Sequence, residues 1–195
     1  SNLTNAAARV GSNTAIRFVL RYLPLGLSIG SSLTYRELND ASDRFASALQ
    51  DLGVGKGDRV AIMLPNVPQV PIAFFGILKA GGVVVAVNPT YPVEEILTPV
   101  KDANIEVMFC MSRFYGKLKE VREKSGLKKI IVTNIKETLP PLLRFLFTVA
   151  KEKKEGDRVD ALDSRDVWMQ DVLKKHTNSA KPNVDIQPED TALFQ

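Results

Sequence analysis

Between residues 38 and 52 apolar side chains return at helical spacing: Leu38, Ala41, Phe45, Ala48, Leu49 and Leu52 form one stripe, with Asp43, Arg44 and Asp51 off it. Thr34 stands three residues before Glu37, the spacing of a capping box, so a helix is expected to start there and to end at Gly53. A short strand follows over 59–64, stopped by Pro65, and then 70–80 is apolar almost all round, the pattern of a helix buried on several sides. Gly81 and Gly82 end that helix, and 83–87 reads as a strand with no polar face that breaks at Asn88-Pro89. Pro92 opens the next helix; Glu94 and Glu95 lie in its first turn, favourable to the dipole, with Val93, Ile96, Leu97 and Val100 facing inward. Pro99 is expected to kink or shorten it. A strand over 107–111, an amphipathic helix over 115–125 and a strand over 129–133 complete a βαβαβαβ order. Uncharged strands alternating with helices predict an α/β fold: an open, doubly wound, mostly parallel sheet with helices on both faces and right-handed crossovers.

The flanks are less regular. Residues 15–20 read as a strand, and 1–33 are expected to form an N-terminal extension with a possible strand pair, ahead of an α/β subdomain over 34–176. The segment 139–150 is a strongly apolar helix entered through two prolines, followed by the charge run KEKKEGDR. A further helix is expected near 167–174, and 177–195 read as a linker and the start of another strand.

Composition narrows the function classes. With 195 residues, 45% of them hydrophobic and 25% charged, the chain can build a sizeable core and is not a disordered segment. Its net charge of +4 is spread among nearly as many acidic as basic residues, so nucleic-acid binding is not expected. A single cysteine, Cys110, excludes an intrachain disulfide and fits a reducing, cytoplasmic setting; in its apolar surroundings it reads as buried. There is neither a signal-sequence pattern nor a run of the ~18–20 apolar residues that a spanning helix needs. Since the chain begins Ser-Asn, a trimmed start is expected. Candidate chemistry is sparse. GVGKGD, residues 53–58, lacks the spacing and the Ser or Thr of a phosphate loop and reads as a helix-to-strand turn. His176 has no ligand cluster at useful spacing and reads as a solvated surface residue, and Trp168 reads as a packing residue. No G-x-S-x-G elbow is present.

Two stretches carry a family resemblance: LTYRELN at 33–39 and LKAGGVVVAVNPTYP at 78–92, with GDRVAIMLPN between them. In order and spacing they resemble the N-terminal portion of the adenylate-forming superfamily, which includes acyl-CoA synthetases, luciferases and peptide-synthetase adenylation domains. Asn88-Pro89 after the strand is similar to the acyl-CoA synthetase form, where many peptide-synthetase domains have Pro-Leu/Ile-Asp. The resemblance extends from about Thr14 and implies an AMP-forming acid-thiol ligase of the fatty-acid-CoA type. The fatty-acid assignment rests on NVPQVPIAFFGILKAGGVVVAVNPTYP and LPPLLRFLFTVAKEKKEG, and an aryl-CoA ligase is the near alternative. Fatty acid, ATP, Mg²⁺ and CoA are then the substrates and cofactors of the full-length enzyme.

In the family, ED-x-A-x-x-Q, here residues 189–195, leads into the phosphate-binding loop. The resemblance therefore places the phosphate, metal and lysine contacts past Gln195. No catalytic, cofactor-binding or metal residue is carried over, and the isolated chain is expected to be inactive with no cofactor bound. Because ligands of open α/β sheets bind beyond the carboxyl ends of strands, Asn88, Pro89 and Tyr91 are the substrate-adjacent candidates. A turn that only ends the strand is the plainer reading of the same residues. Two further expectations concern surfaces. An uncovered apolar face favours a homo-oligomer. Segment 139–154, apolar and then rich in lysine, suits peripheral contact with a membrane, although a helix packed into the core has the same pattern. Rival readings from other classes are a stand-alone α/β interaction module and a membrane-surface adaptor.

Overall fold

The structure is a computed structural model describing residues 2–22, 24, 28–177 and 182–194. A helix absent from the pattern reading, α1 (Asn2–Val10), precedes an antiparallel pair, β1 (Thr14–Tyr22) and β2 (Ser28–Thr34). The capping box then starts α2 (Tyr35–Asp51): Glu37 N donates to Thr34 Oγ1 at 3.2 Å, and Thr34 N donates back to Glu37 Oε2 at 2.8 Å. The Thr34 backbone and hydroxyl hydrogen bonds hold the Glu37 carboxyl below the usual carboxylate range.

The chain continues as β3 (Arg59–Met63), α3 (Gln69–Lys79), β4 (Val83–Ala86), α4 (Val93–Asp102), β5 (Val107–Met111), α5 (Tyr115–Glu123) and β6 (Lys129–Thr133). It ends with α6 (Pro141–Ala150), β7 (Val167–Trp168), α7 (Met169–Lys175) and β8 (Leu193–Phe194). Six strands lie in the order β7-β6-β5-β3-β4-β8, every neighbouring pair parallel. The chain steps from β3 outward to β4, then returns past β3 to build β5, β6 and β7 on the other side. That reversal makes the carboxyl ends of β3 and β5 the topological switch point.

Alternation along the strands divides the core in two. Val60, Ile62, Val84, Phe109 and Ile131 pack with α2, α3 and α7 on one face; Ala61, Met63, Val85, Met108 and Cys110 pack with α4 and α5 on the other. Both faces are covered, which explains why these strands have no polar side. Cys110 is fully buried, and burial pushes its thiol pKa up. Pro99 sits inside α4, which still runs ten residues.

Helices α2 and α3 approach closely at Gly76. A Cβ there would stand 2.7 Å from Phe45 Cδ1 and 3.2 Å from Ser42 O, and the Phe45 ring is fully buried with its centroid 5.6 Å from that of Phe109. Alanine normally improves a helix interior by up to ~1 kcal/mol, but overpacking costs about 1–3 kcal/mol. Gly76→Ala is therefore expected to lower stability by about 1–2 kcal/mol in equilibrium urea unfolding.

Two expectations are corrected. The helix expected near 167–174 starts later, at Met169: Val167 and Trp168 instead pair with Ile131 and Val132, a strand too short to produce a periodic signal. His176 is buried, 6% exposed, with Nε2 3.4 Å from Asp51 Oδ2 at the end of α2; the return of α7 over α2 covers it. Of the linker and strand at 177–195, residues 178–181 and 195 lie outside the described residues, and β8 pairs with β4.

Candidate functional site

The stretch Asn88 to Tyr91 leaves β4 as a hydrogen-bonded turn. Tyr91 N donates to Asn88 O at 3.2 Å, with Pro89 fixing the backbone at the second position. Asn88 Oδ1 accepts from Thr90 N at 2.9 Å and from Thr90 Oγ1 at 2.8 Å, locking the turn from inside. From α5, Lys117 Nζ reaches over and donates to Tyr91 O at 2.6 Å and Pro89 O at 3.3 Å. One residue distant in sequence thus holds the turn at its second and fourth carbonyls.

Asn88, Pro89 and Tyr91 all line one cavity of about 510 Å³ at the carboxyl ends of β3 and β4. Its walls are apolar: Ile62 and Leu64 from β3 and its exit, Val70 and Phe74 from α3, Val84 from β4 and Leu193 from β8. This volume falls within the range of small-molecule sites. The turn residues Asn88 and Tyr91 are the polar residues of the lining. Among the described residues, no carboxylate, histidine, lysine or arginine lines the cavity. The arrangement can shelter an apolar body; among the described residues that line it there is no charged group to neutralise a phosphate.

The opposite side of the switch point is filled by protein. Ser112 and Arg113, just past β5, both bind the fully buried Asp157: Arg113 Nε donates to Oδ1 at 2.9 Å, and Ser112 Oγ lies 3.4 Å from the same oxygen. Paired with Asp157, the Arg113 guanidinium pKa is raised. Nearby, Glu152 Oε1 accepts from Asn134 Nδ2 at 2.9 Å and from Lys136 Nζ at 2.8 Å. Glu152 and Asp157 belong to the charge run KEKKEGDR. Nothing in the local pattern marks them, because their partners lie from 16 to 45 residues away.

Gln69, at the start of α3, lies 3.4 Å from Thr133 Oγ1 and 3.3 Å from Asn134 O through Nε2, and its Oε1 is buried without a partner among the described residues. Also among the described residues, no three His, Cys, Asp or Glu side chains gather as a metal site.

The comparisons with known proteins agree on one family. The family described as AMP-binding enzyme matches residues 3–195. A long-chain-fatty-acid-CoA ligase of Yersinia pestis is 38% identical over 186 residues, covering 94% of this chain and 32% of that protein. One from Bacillus subtilis (strain 168) is 34% identical over 154 residues, covering 79% of this chain and 26% of that protein. Among solved structures, a long-chain-fatty-acid-CoA ligase from Archaeoglobus fulgidus superposes with a TM-score of 0.72 at 22% identity, over 98% of this chain and 32% of that one. A benzoate CoA ligase from Burkholderia xenovorans LB400 gives 0.69 at 21% identity, over 99% and 31%. At those identities the superpositions establish the fold. The chain spans about a quarter to a third of the length of these relatives.

Proposed function

The chain belongs to the AMP-binding enzyme family, and from that premise we propose that it forms the N-terminal α/β subdomain of an ATP-dependent fatty-acid-CoA ligase. The observation that supports this reading is the apolar cavity behind the Asn88–Tyr91 turn, in a chain whose relatives include long-chain-fatty-acid-CoA ligases. The proposed reaction joins a carboxylate to the α-phosphate of ATP, releasing pyrophosphate, and the CoA thiol then displaces AMP. In it, Ile62, Val70 and Phe74 shelter part of an aliphatic chain from water, while Asn88 and Tyr91 form the polar rim. Lys117 is a positioning residue: it fixes the rim by holding the turn carbonyls. The described residues offer ATP, Mg²⁺ and CoA neither a carboxylate cluster nor a cationic cradle in this cavity, so none of their contacts is assigned here.

The test is carboxylate-dependent ATP–pyrophosphate exchange, with thioester formation as the second readout, by the natural protein at full length. Long-chain fatty acids are expected to support exchange better than benzoate by more than about tenfold, because each buried methylene adds discrimination. A preference for benzoate would move the assignment to an aryl-CoA ligase. Exchange with no carboxylate at all would remove the ligase reading.

A further inference from the structure

Strand β4 consists of three valines and then Ala86. Val83, Val84 and Val85 are buried, whereas Ala86 is exposed, although β4 lies inside the sheet with β3 on one side and β8 on the other. By alternation Ala86 shares a face with Val84, the face that packs with α2 and α3. Its register partner on β3, Ile62, belongs to that face and is buried. The neighbouring positions there all carry branched side chains: Ile62 and Leu64 on β3 and its exit, Val84 on β4, and Leu193, in register with Val84, on β8.

An alanine at this position runs against both local preference and burial. Alanine is depleted in strands and valine is favoured, so a fourth valine would strengthen β4 and bury more apolar area. The small side chain leaves a hollow instead. Ala86 lines the cavity of about 510 Å³ on its sheet side, and Val70 and Phe74, one turn apart on α3, line it on the helix side. The Phe74 ring is braced edge-on by Phe75, with centroids 5.5 Å apart and planes at 90°, which fixes that wall. A departure from local consistency of this kind marks a position set by function rather than by stability.

We propose that Ala86 is a specificity-determining residue, whose size sets how long an aliphatic chain the cavity accepts. The inference rests on the reading of this cavity as the site of the fatty acyl chain, and it adds the feature that selects among such chains. One methylene more or less in an apolar pocket changes discrimination by about 10- to 200-fold. A side chain that fills the hollow therefore excludes the distal carbons of a long acid before it affects a short one.

The experiment uses the natural full-length protein and compares kcat/KM for hexadecanoic and octanoic acid in thioester formation. Ala86→Val and Ala86→Phe introduce side chains that strands favour, and their melting temperatures report folding. The hexadecanoate-to-octanoate ratio is expected to fall by at least about tenfold in Ala86→Val and on the order of a hundredfold in Ala86→Phe. Adding Phe74→Leu to Ala86→Val opens the facing wall and is expected to recover part of the loss, which a general defect of folding would not do. A second readout needs no catalysis: cis-parinaric acid, a fluorescent long-chain fatty acid, is expected to bind the parent without ATP and to bind Ala86→Phe at least about tenfold more weakly. If the parent ligates no carboxylic acid, the ligase reading falls, while weakened cis-parinaric acid binding by Ala86→Phe still supports the role of Ala86. If the parent ligates fatty acids and the folded variants keep its length profile, the ligase reading stands and this inference is overturned. A lowered melting temperature in Ala86→Val with an unchanged ratio also overturns it, because overpacking at this position means that another part of the protein fills the hollow.

Discussion

Asp166→Ala is expected to cost about 3–5 kcal/mol of stability, measured as a lowered urea midpoint at unchanged slope. Asp166 is buried just ahead of β7 and ties three elements together. Arg122 Nη1 donates to its two oxygens at 2.8 and 2.9 Å, Tyr115 Oη donates to Oδ2 at 2.7 Å, and Ile130 N of β6 donates to Oδ1 at 2.9 Å. Removing the carboxylate leaves Arg122, whose side chain is 8% exposed, with a 3.5 Å contact to Asp163 as its remaining ion pair among the described residues. It also strands the Tyr115 proton and a strand amide. An uncompensated buried charge dominates that sum, since the two neutral donors together cost less than the arginine. Asp166→Asn keeps an acceptor for Ile130 but turns an amide toward Arg122, so its expected loss is intermediate. Amide exchange at Ile130 should quicken in the alanine variant. An alanine cost below about 1 kcal/mol would show that water reaches the site and that Arg122 is not buried in solution. The effect reaches the candidate site because Tyr115 and Arg122 bracket Lys117 on α5, and Lys117 holds the Asn88–Tyr91 turn.

What was legible in the sequence divides by the range of the interaction that decides each feature. The start of α2 depends on two residues three apart, Thr34 and Glu37, so the pattern places it. Strands β3 to β6 are legible because both faces are covered, which removes polar residues from 60–63, 83–85, 107–111 and 130–132. The turn at Asn88 follows from the chemistry of Asn-Pro, but the wall it faces includes Leu193, more than a hundred residues away. Its closure by Lys117 is equally remote. The buried polar groups were illegible for the same reason. Asp157, Glu152 and Asp166 sit among other charges in sequence, and only the return of the chain past β6 sets them against Arg113, Lys136 and Arg122. His176 looked solvated because no local pattern reports that α7 folds back over the end of α2.

Lys79 shows how such a hidden group can decide packing next to the cavity. At the carboxyl end of α3 a lysine complements the helix dipole, and a sequence reading asks no more of it. In the structure the side chain is 9% exposed and turned onto α2. Nζ donates to Asp43 Oδ1 at 2.7 Å, Ser42 Oγ at 2.8 Å, and Asn39 Oδ1 and O at 2.9 and 3.2 Å. These bonds fix the register of α3 on α2, and α3 supplies Val70 and Phe74 to the cavity wall. Asp43→Ala is expected to destabilise by about 3 kcal/mol, because it takes the carboxylate away from a buried ammonium and leaves neutral oxygens in its place. Lys79→Met is expected to cost less, about 1–2 kcal/mol, since the Asp43 side chain is 15% exposed and can be rehydrated, and it keeps the Asn39 amide at 3.0 Å. Combining Lys79→Met with Asp43→Leu removes both charges at once. The double variant is then expected to be more stable than Asp43→Ala alone, with a coupling energy of at least ~1 kcal/mol in the Asp43→Leu, Lys79→Met cycle. Strict additivity across the cycle would mean that the pair acts as two solvated surface charges and that α2 and α3 are held by the Gly76–Phe45 contact without it.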